Sequence, residues 1–351
     1  VKIAILTGGG DCAGLNAAVR AVVVNATRNH DSEVWGVQGG LYGLHEGQFE
    51  KLESNFWYKE GFVLERGGTL LKTRVKRLPP EGVEREKFAV ECEKVLRSQG
   101  FDALVIVGGD ITLGMASIIS KQNFPVIAIP KTIDNDVLDT ESIGFNTALQ
   151  VGVNAMDRVR TTAMSHDRVI IVEVMGRDAG FLPLSVAIAG GADIALIPEI
   201  PYQIEDLIEA IQERKRRDGF VTIVISEAAF PEGVQKNKVG VMGNQRYRGA
   251  AHILEENLCD QVHSVRSVIL GHVQRGGAPL AFDRIIASRM GVAAVNALKA
   301  GKSDIIIGWD GSALTEIPLN KIQSRSLNVE SNLVQTAIGL DIFLGKDLKK
   351  S

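Results

Sequence analysis

Two carboxylates stand two positions apart in Pro130-Lys131-Thr132-Ile133-Asp134-Asn135-Asp136, with an ammonium close by. Such a set can take a proton from a hydroxyl at one carboxylate while the other groups manage a metal ion or a phosphate. Phosphoryl transfer asks for little more than in-line positioning, charge neutralisation and a modest base for the attacking hydroxyl. The same residues also make a good Asx-turn loop, since Asp and Asn readily bond their own backbone in turns. Upstream, Gly108-Gly109-Asp110-Ile111-Thr112-Leu113-Gly114 sets a carboxylate after two glycines. Asp110 can hold a magnesium ion shared with phosphate oxygens, or it can cap the following helix. Near the start, Thr7-Gly8-Gly9-Gly10-Asp11-Cys12-Ala13-Gly14 lets backbone N–H groups approach an anion ahead of a helix N-terminus. That loop is neither the GxxxxGK[ST] nor the GxGxxG pattern, and a plain βα turn would read the same way.

A set of basic residues follows: Arg168, Arg177, Arg266, His272 and Arg275. Arginine suits bidentate recognition of a phosphate. Several in one half of a mildly acidic chain suggest a dianionic substrate end, although each alone is an ordinary surface or structural residue.

These loops need strands to end in them and helices to follow. Short apolar, β-branched runs supply the strands: Ile3–Thr7, Leu104–Val107, Val126–Ile129, Val169–Val174, Ile194–Ile197, Val221–Ser226 and Ser267–Leu270. Helical patterns at Leu15–Thr27, Glu84–Ser98, Ile143–Met164, Gln203–Arg217 and Asp283–Ala300 alternate with them. Such alternation is the grammar of βαβ units, and the expected class is α/β with mostly parallel sheets flanked by helices. Ligands in open α/β sheets bind beyond the carboxyl ends of the strands, where these glycine-rich loops fall. The 351 residues suggest two domains at roughly 150 residues each.

The composition, 45% hydrophobic and 23% charged, is that of an ordinary globular protein. A net charge of -3 leaves no chain-wide basic footprint, so no nucleic-acid partner is expected. The one dense basic run, Arg214-Lys215-Arg216-Arg217, reads as a solvated helix C-terminus. Cys12, Cys92 and Cys259 are far apart, with no disulfide framework or zinc spacing. No apolar stretch approaches the roughly 18 residues of a membrane span, and no signal-peptide pattern opens the sequence. A cytoplasmic protein without a membrane partner is expected.

Taken in order, the motifs resemble the phosphofructokinase family over nearly the full length: GGGDCAGLNAAVR at 8–20, RGGT at 66–69, GGD at 108–110, PKTIDND at 130–136, SHDR at 165–168, VEVMGR at 172–177, PE at 198–199, LGHVQRGG at 270–277 and FDR at 282–284. The resemblance implies a two-domain fold, with residues 1–145 plus 274–324 as a larger phosphoryl-donor domain and 146–273 plus 325–351 as a smaller sugar-phosphate domain. It implies transfer of a phosphoryl group to the 1-hydroxyl of fructose 6-phosphate, with Mg2+ as cofactor. Asp134 matches the family's base and Asp136 its companion carboxylate. Thr132 lies beside the transferring group, and Arg177 matches a residue that stabilises its charge. Gly10, Thr112 and Asp110 fall at donor positions, Asp110 also at the metal position. Glu227, Met175, Gly176, His272 and Arg275, with Thr132, Asp134 and Arg177, match substrate contacts, and Arg168 and Arg266 match arginines that reach the 6-phosphate across a subunit interface. A homodimer or homotetramer with shared active sites is therefore implied.

Two positions bear on the donor. Where the family's ATP users resemble one another in having glycine, and its pyrophosphate users typically aspartate, this chain has Ile111, which obstructs space without supplying charge. Lys131 matches the lysine characteristic of pyrophosphate users. Together they favour pyrophosphate over ATP, closest in pattern to the pyrophosphate-dependent members. The arginine after RGGT is displaced by one position, leaving Arg74 as a shifted equivalent. Of the residues matching an effector-nucleotide clamp, Arg20 and Arg160 are kept and Val24 departs, so weak or absent activation by ADP is expected.

Overall fold

A computed structural model describes residues 1–56, 62–74, 82–137, 139–233, 238–239, 246–247 and 249–345. The chain divides into two compact units, Val1–Thr147 with Arg275–Ser324, and Ala148–Gln274 with Arg325–Ser351.

The first unit is built on a sheet of β1 (Lys2–Thr7), β2 (Glu33–Val37), β3 (Phe49–Lys51), β4 (Ala103–Gly108), β5 (Val126–Pro130), β12 (Ile305–Trp309) and β13 (Leu314–Pro318), the numbering of all strands following the chain. Its order is β13-β12-β5-β4-β1-β2-β3. The interior strands run parallel, and only the edge pairs β2–β3 and β12–β13 are antiparallel. Every residue of β4 and β5 is buried, as expected for strands covered on both faces. Among the covering helices, Leu15–Val24 and Ala281–Lys299 approach closely at Gly291, where a Cβ would stand 2.7 Å from the Ala18 carbonyl. The first helix is shorter than its sequence pattern. From Asn25 it widens into a π turn, and the Asn25 amide donates to Val292 O at 3.1 Å and Asn296 Oδ1 at 3.0 Å.

The second unit carries a parallel sheet of β6 (Val169–Val174), β7 (Ile194–Leu196), β8 (Val221–Ser226) and β11 (Val265–Ile269), in the order β11-β6-β8-β7. A short antiparallel pair, β9 (Lys238–Val239) and β10 (Arg246–Tyr247), stands apart from it. The helix Ile204–Asp218 lays Leu207, Ile208 and Ile211 on the sheet and ends at Gly219 in the left-handed region, φ 85°. Of its basic run, expected as a solvated end, Arg216 and Arg217 are exposed while the first two cations are not free. Arg214 is buried, donating to Asp341 O at 2.8 Å with its guanidinium over the Phe343 ring, and Lys215 donates to His263 O. These cations fasten the C-terminal segment and a neighbouring loop by hydrogen bonds to carbonyls. Among the described residues no helix is long and apolar enough to cross a membrane, and all three cysteines are free thiols.

Candidate functional site

In the first unit the glycine loop after β1, the Gly108–Asp110 turn after β4 and the Pro130–Asp136 loop after β5 leave the same ends of adjacent parallel strands. Glycine is required here by close approach. A Cβ on Gly8 would stand 2.5 Å from Thr112 Cγ2, and one on Gly108 would stand 2.4 Å from Thr112 Cβ. Thr112 is thus a buried key wedged between two loops, in the first turn of the helix Asp110–Ser120. Asp110 opens that helix and is half-buried, and Ile111 beside it is 44% exposed.

Lys131 is only 3% exposed, and its ammonium donates to the Gly10 carbonyl. Burial lowers its pKa. Arg275 belongs to this unit: its guanidinium donates to Asp11 O at 3.1 Å and lies 2.7 Å from where a Cβ on Gly10 would stand. Two loop carbonyls therefore carry cations. Cys12, below the loop, donates its thiol to Ile143 O at 3.3 Å, and burial pushes its pKa up to about 12, so it is no nucleophile at neutral pH. In the third loop Thr132 Oγ1 accepts the Asp134 N–H at 3.1 Å, and Asn135, at φ 52°, accepts the Ser142 N–H at 3.0 Å. Asp134 is buried and Asp136 half-buried. Arg74 pairs with Glu46 at 2.6 Å, and neighbouring Thr73 donates its hydroxyl to Gly9 O at 2.8 Å.

No group of three or more His, Cys, Asp or Glu side chains that could cage a metal occurs among the described residues. A single half-buried carboxylate such as Asp110 fits Mg2+ nonetheless, because that ion keeps waters and is usually held by one or two carboxylates plus phosphate oxygens.

In the second unit the end of β6 runs into Met175-Gly176-Arg177. Gly176 sits at φ 151° and Arg177 at φ 48°, a left-handed conformation that costs a non-glycine residue energy unless its surroundings enforce it. Side chains enforce it here: Gln274 Oε1 accepts the Met175 N–H at 2.8 Å, and Glu227 Oε1 accepts the N–H groups of Gly176 and Arg177 at 3.4 and 3.1 Å. The Arg177, Arg266 and His272 side chains are exposed, and Arg168 is half-buried at the head of β6. Arg160, from the effector-clamp comparison, donates to the Gly190 and Gly191 carbonyls.

Two organising residues escape a reading of the sequence. Asn16, buried in the first turn of its helix, donates to the carbonyls of Arg66 and Gly68 and accepts the Leu70 N–H, which ties the RGGT loop to the glycine loop. Gln274, 1% exposed, looks in sequence like a spacer between His272 and Arg275. A polar residue inside an otherwise apolar helical face is the signal that could have found Asn16. Gln274 has no such signal.

Residues 2–298 match the phosphofructokinase family. The chain is similar to an ATP-dependent 6-phosphofructokinase 1 of Synechocystis sp., at 40% identity over 99% of both chains. It is also similar to a pyrophosphate–fructose 6-phosphate 1-phosphotransferase of Amycolatopsis methanolica, at 35% identity over 98% of this chain and 100% of the relative. Among solved structures, phosphofructokinase from Saccharomyces cerevisiae aligns with a TM-score of 0.77 and 30% identity, over 97% of this chain and 47% of the yeast chain.

Proposed function

The chain belongs to the phosphofructokinase family and has 6-phosphofructokinase activity; from that premise we propose that its phosphoryl donor is ATP. The burial of Lys131, with its ammonium turned onto the Gly10 carbonyl, carries this reading. A lysine held in that way is not an open cation awaiting one end of pyrophosphate, so one of the two sequence arguments for pyrophosphate loses its force. The higher identity to the ATP-dependent relative, 40% against 35%, points the same way. Ile111 favours the second reading, pyrophosphate: its β-branched side chain, 44% exposed, stands next to Asp110 where a nucleotide's inner phosphate would pass.

The proposed division of labour follows the two units. Asp134 accepts the proton of the 1-hydroxyl, with Thr132 fixing the backbone N–H of the base at 3.1 Å. Asp136 is its companion carboxylate. Gly10, Thr112 and Arg74 shape the donor side, and Asp110 would hold the magnesium ion, which neutralises phosphate charge. In the second unit Arg177 meets the charge of the transferring group. Met175, Gly176, Glu227 and His272 receive the sugar phosphate, and Arg275 is assigned to it as well. Arg168 and Arg266 serve the 6-phosphate of a neighbouring copy in a homodimer or homotetramer.

The test is transfer to fructose 6-phosphate with magnesium, comparing ATP and pyrophosphate at matched concentrations. Turnover with ATP supports the reading. Turnover confined to pyrophosphate would assign donor choice to Ile111 and remove ATP from the proposal.

A further inference from the structure

Asp283 lies in the first turn of the helix Ala281–Lys299 and is fully buried, at 0% exposure. A buried carboxylate is costly unless it is hydrogen-bonded. Its Oδ1 accepts the Gly144 N–H at 2.9 Å, and its Oδ2 accepts the Thr147 N–H at 2.8 Å and the Thr147 hydroxyl at 2.5 Å. The Thr147 oxygen in turn accepts the Leu280 N–H at 3.0 Å. Asp283 therefore stands at the N-terminal ends of two helices, its own and Phe145–Ser165, where backbone donors lack partners and negative charge is favoured.

The segment it clamps is a floor under two loops. On one side, Cys12 bonds Ile143 O, a Cβ on Gly144 would stand 2.4 Å from Cys12 Sγ, and one on Gly14 would stand 2.7 Å from Ile143 Cγ2. On the other side, Ile143 N–H donates to Pro130 O at 3.3 Å and Ser142 N–H to Asn135 Oδ1 at 3.0 Å.

We infer that Asp283, together with Thr147, is a positioning residue for phosphoryl transfer: by clamping Gly144–Thr147 it sets the glycine loop and the base-bearing loop in register with each other. This rests on the proposed assignment of those loops to the donor and to the base.

Two variants test it. Asp283→Asn puts an amide donor where the carboxylate accepts from either Gly144 or Thr147, and Thr147→Val removes the hydroxyl while keeping the backbone N–H. Misplacing reacting groups by a fraction of an ångström is expected to raise the donor KM and lower kcat by about tenfold each, with the fructose 6-phosphate KM within roughly twofold of wild type. Thr147→Ser, which keeps the hydroxyl, should restore wild-type values. Independently of any donor, amide hydrogen exchange in peptides covering 8–14 and 130–136 should quicken in Asp283→Asn. A fall in Tm with unchanged kinetic constants and unchanged exchange in both peptides would overturn the inference, leaving Asp283 a structural residue only. If wild type uses neither ATP nor pyrophosphate, the functional reading fails, and the exchange measurement still decides whether Asp283 sets the loops.

Discussion

In the first unit Cys12, Thr112 and Lys131 are buried among glycines, whereas in the second Arg177 is exposed on backbone that is braced from behind. The first arrangement lets loops from adjacent strands press together, with side chains acting as keys and glycines as the recesses that admit them. The second supports a charged side chain on a strained turn, where Glu227 and Gln274 accept three successive N–H groups. The contrast teaches that a motif residue can act through its shape in one place and through its charge in another. Lys131, whose charge is what the sequence advertises, is tied to a carbonyl.

The largest effect should come from Asp134→Asn. Loss of a general base typically costs about 10²- to 10⁴-fold in turnover, and turnover should fall far more than sugar-phosphate binding. Steady-state kinetics checks both, and turnover near wild type would remove Asp134 from the base role. A smaller effect probes shape: Gly8→Ala drives a methyl against Thr112 and should destabilise by about 1–3 kcal/mol in urea unfolding, as overpacking does. Adding Thr112→Ala to that background should return part of the loss, since the two positions are in contact. A loss equal to the sum of the single variants would break the key-and-recess account.

The smallest effect concerns Glu173, buried in β6, whose Oε2 accepts the Ala251 N–H at 2.8 Å. Burial raises its pKa above the usual carboxylate range. The unfolded chain then releases this proton at lower pH than the folded protein does, so its contribution is complete at low pH and is lost as pH rises through the raised value. Glu173→Gln cannot titrate and can still accept the Ala251 N–H. Its Tm relative to wild type should therefore climb as pH rises from the ordinary glutamate range through the raised folded value, and a flat or falling difference would contradict the sign.

What the sequence made legible follows from the same physics. β1, β4, β5, β6 and β8 are covered on both faces and so read as mainly apolar, β-branched runs. The edge strands β3 and β13 are half-exposed, and Phe49–Lys51 is too short to show a period. The strand β12 carries Ile305-Ile306-Ile307, yet it lies beyond the last recognisable motif, and its place beside β5 is set by a long-range parallel pairing. Residue types at the candidate site were readable. Their commitments were not, because Lys131 to Gly10 and Arg275 to Asp11 join positions that only folding brings together. Arg214 shows the same limit: four consecutive cations read as solvated, and one is buried against the chain's own C-terminal segment.

The proposed division of labour puts the donor's magnesium at Asp110 in the first unit and the sugar-phosphate contacts braced by Glu227 in the second. The most direct measurement is the pair of KM values, for donor and for fructose 6-phosphate, in Asp110→Asn and in Glu227→Ala. The account predicts that Asp110→Asn raises the donor KM and leaves the sugar KM near wild type, while Glu227→Ala, which unbraces Gly176 and Arg177, does the reverse. Both variants raising the same KM, or each raising both equally, would contradict it.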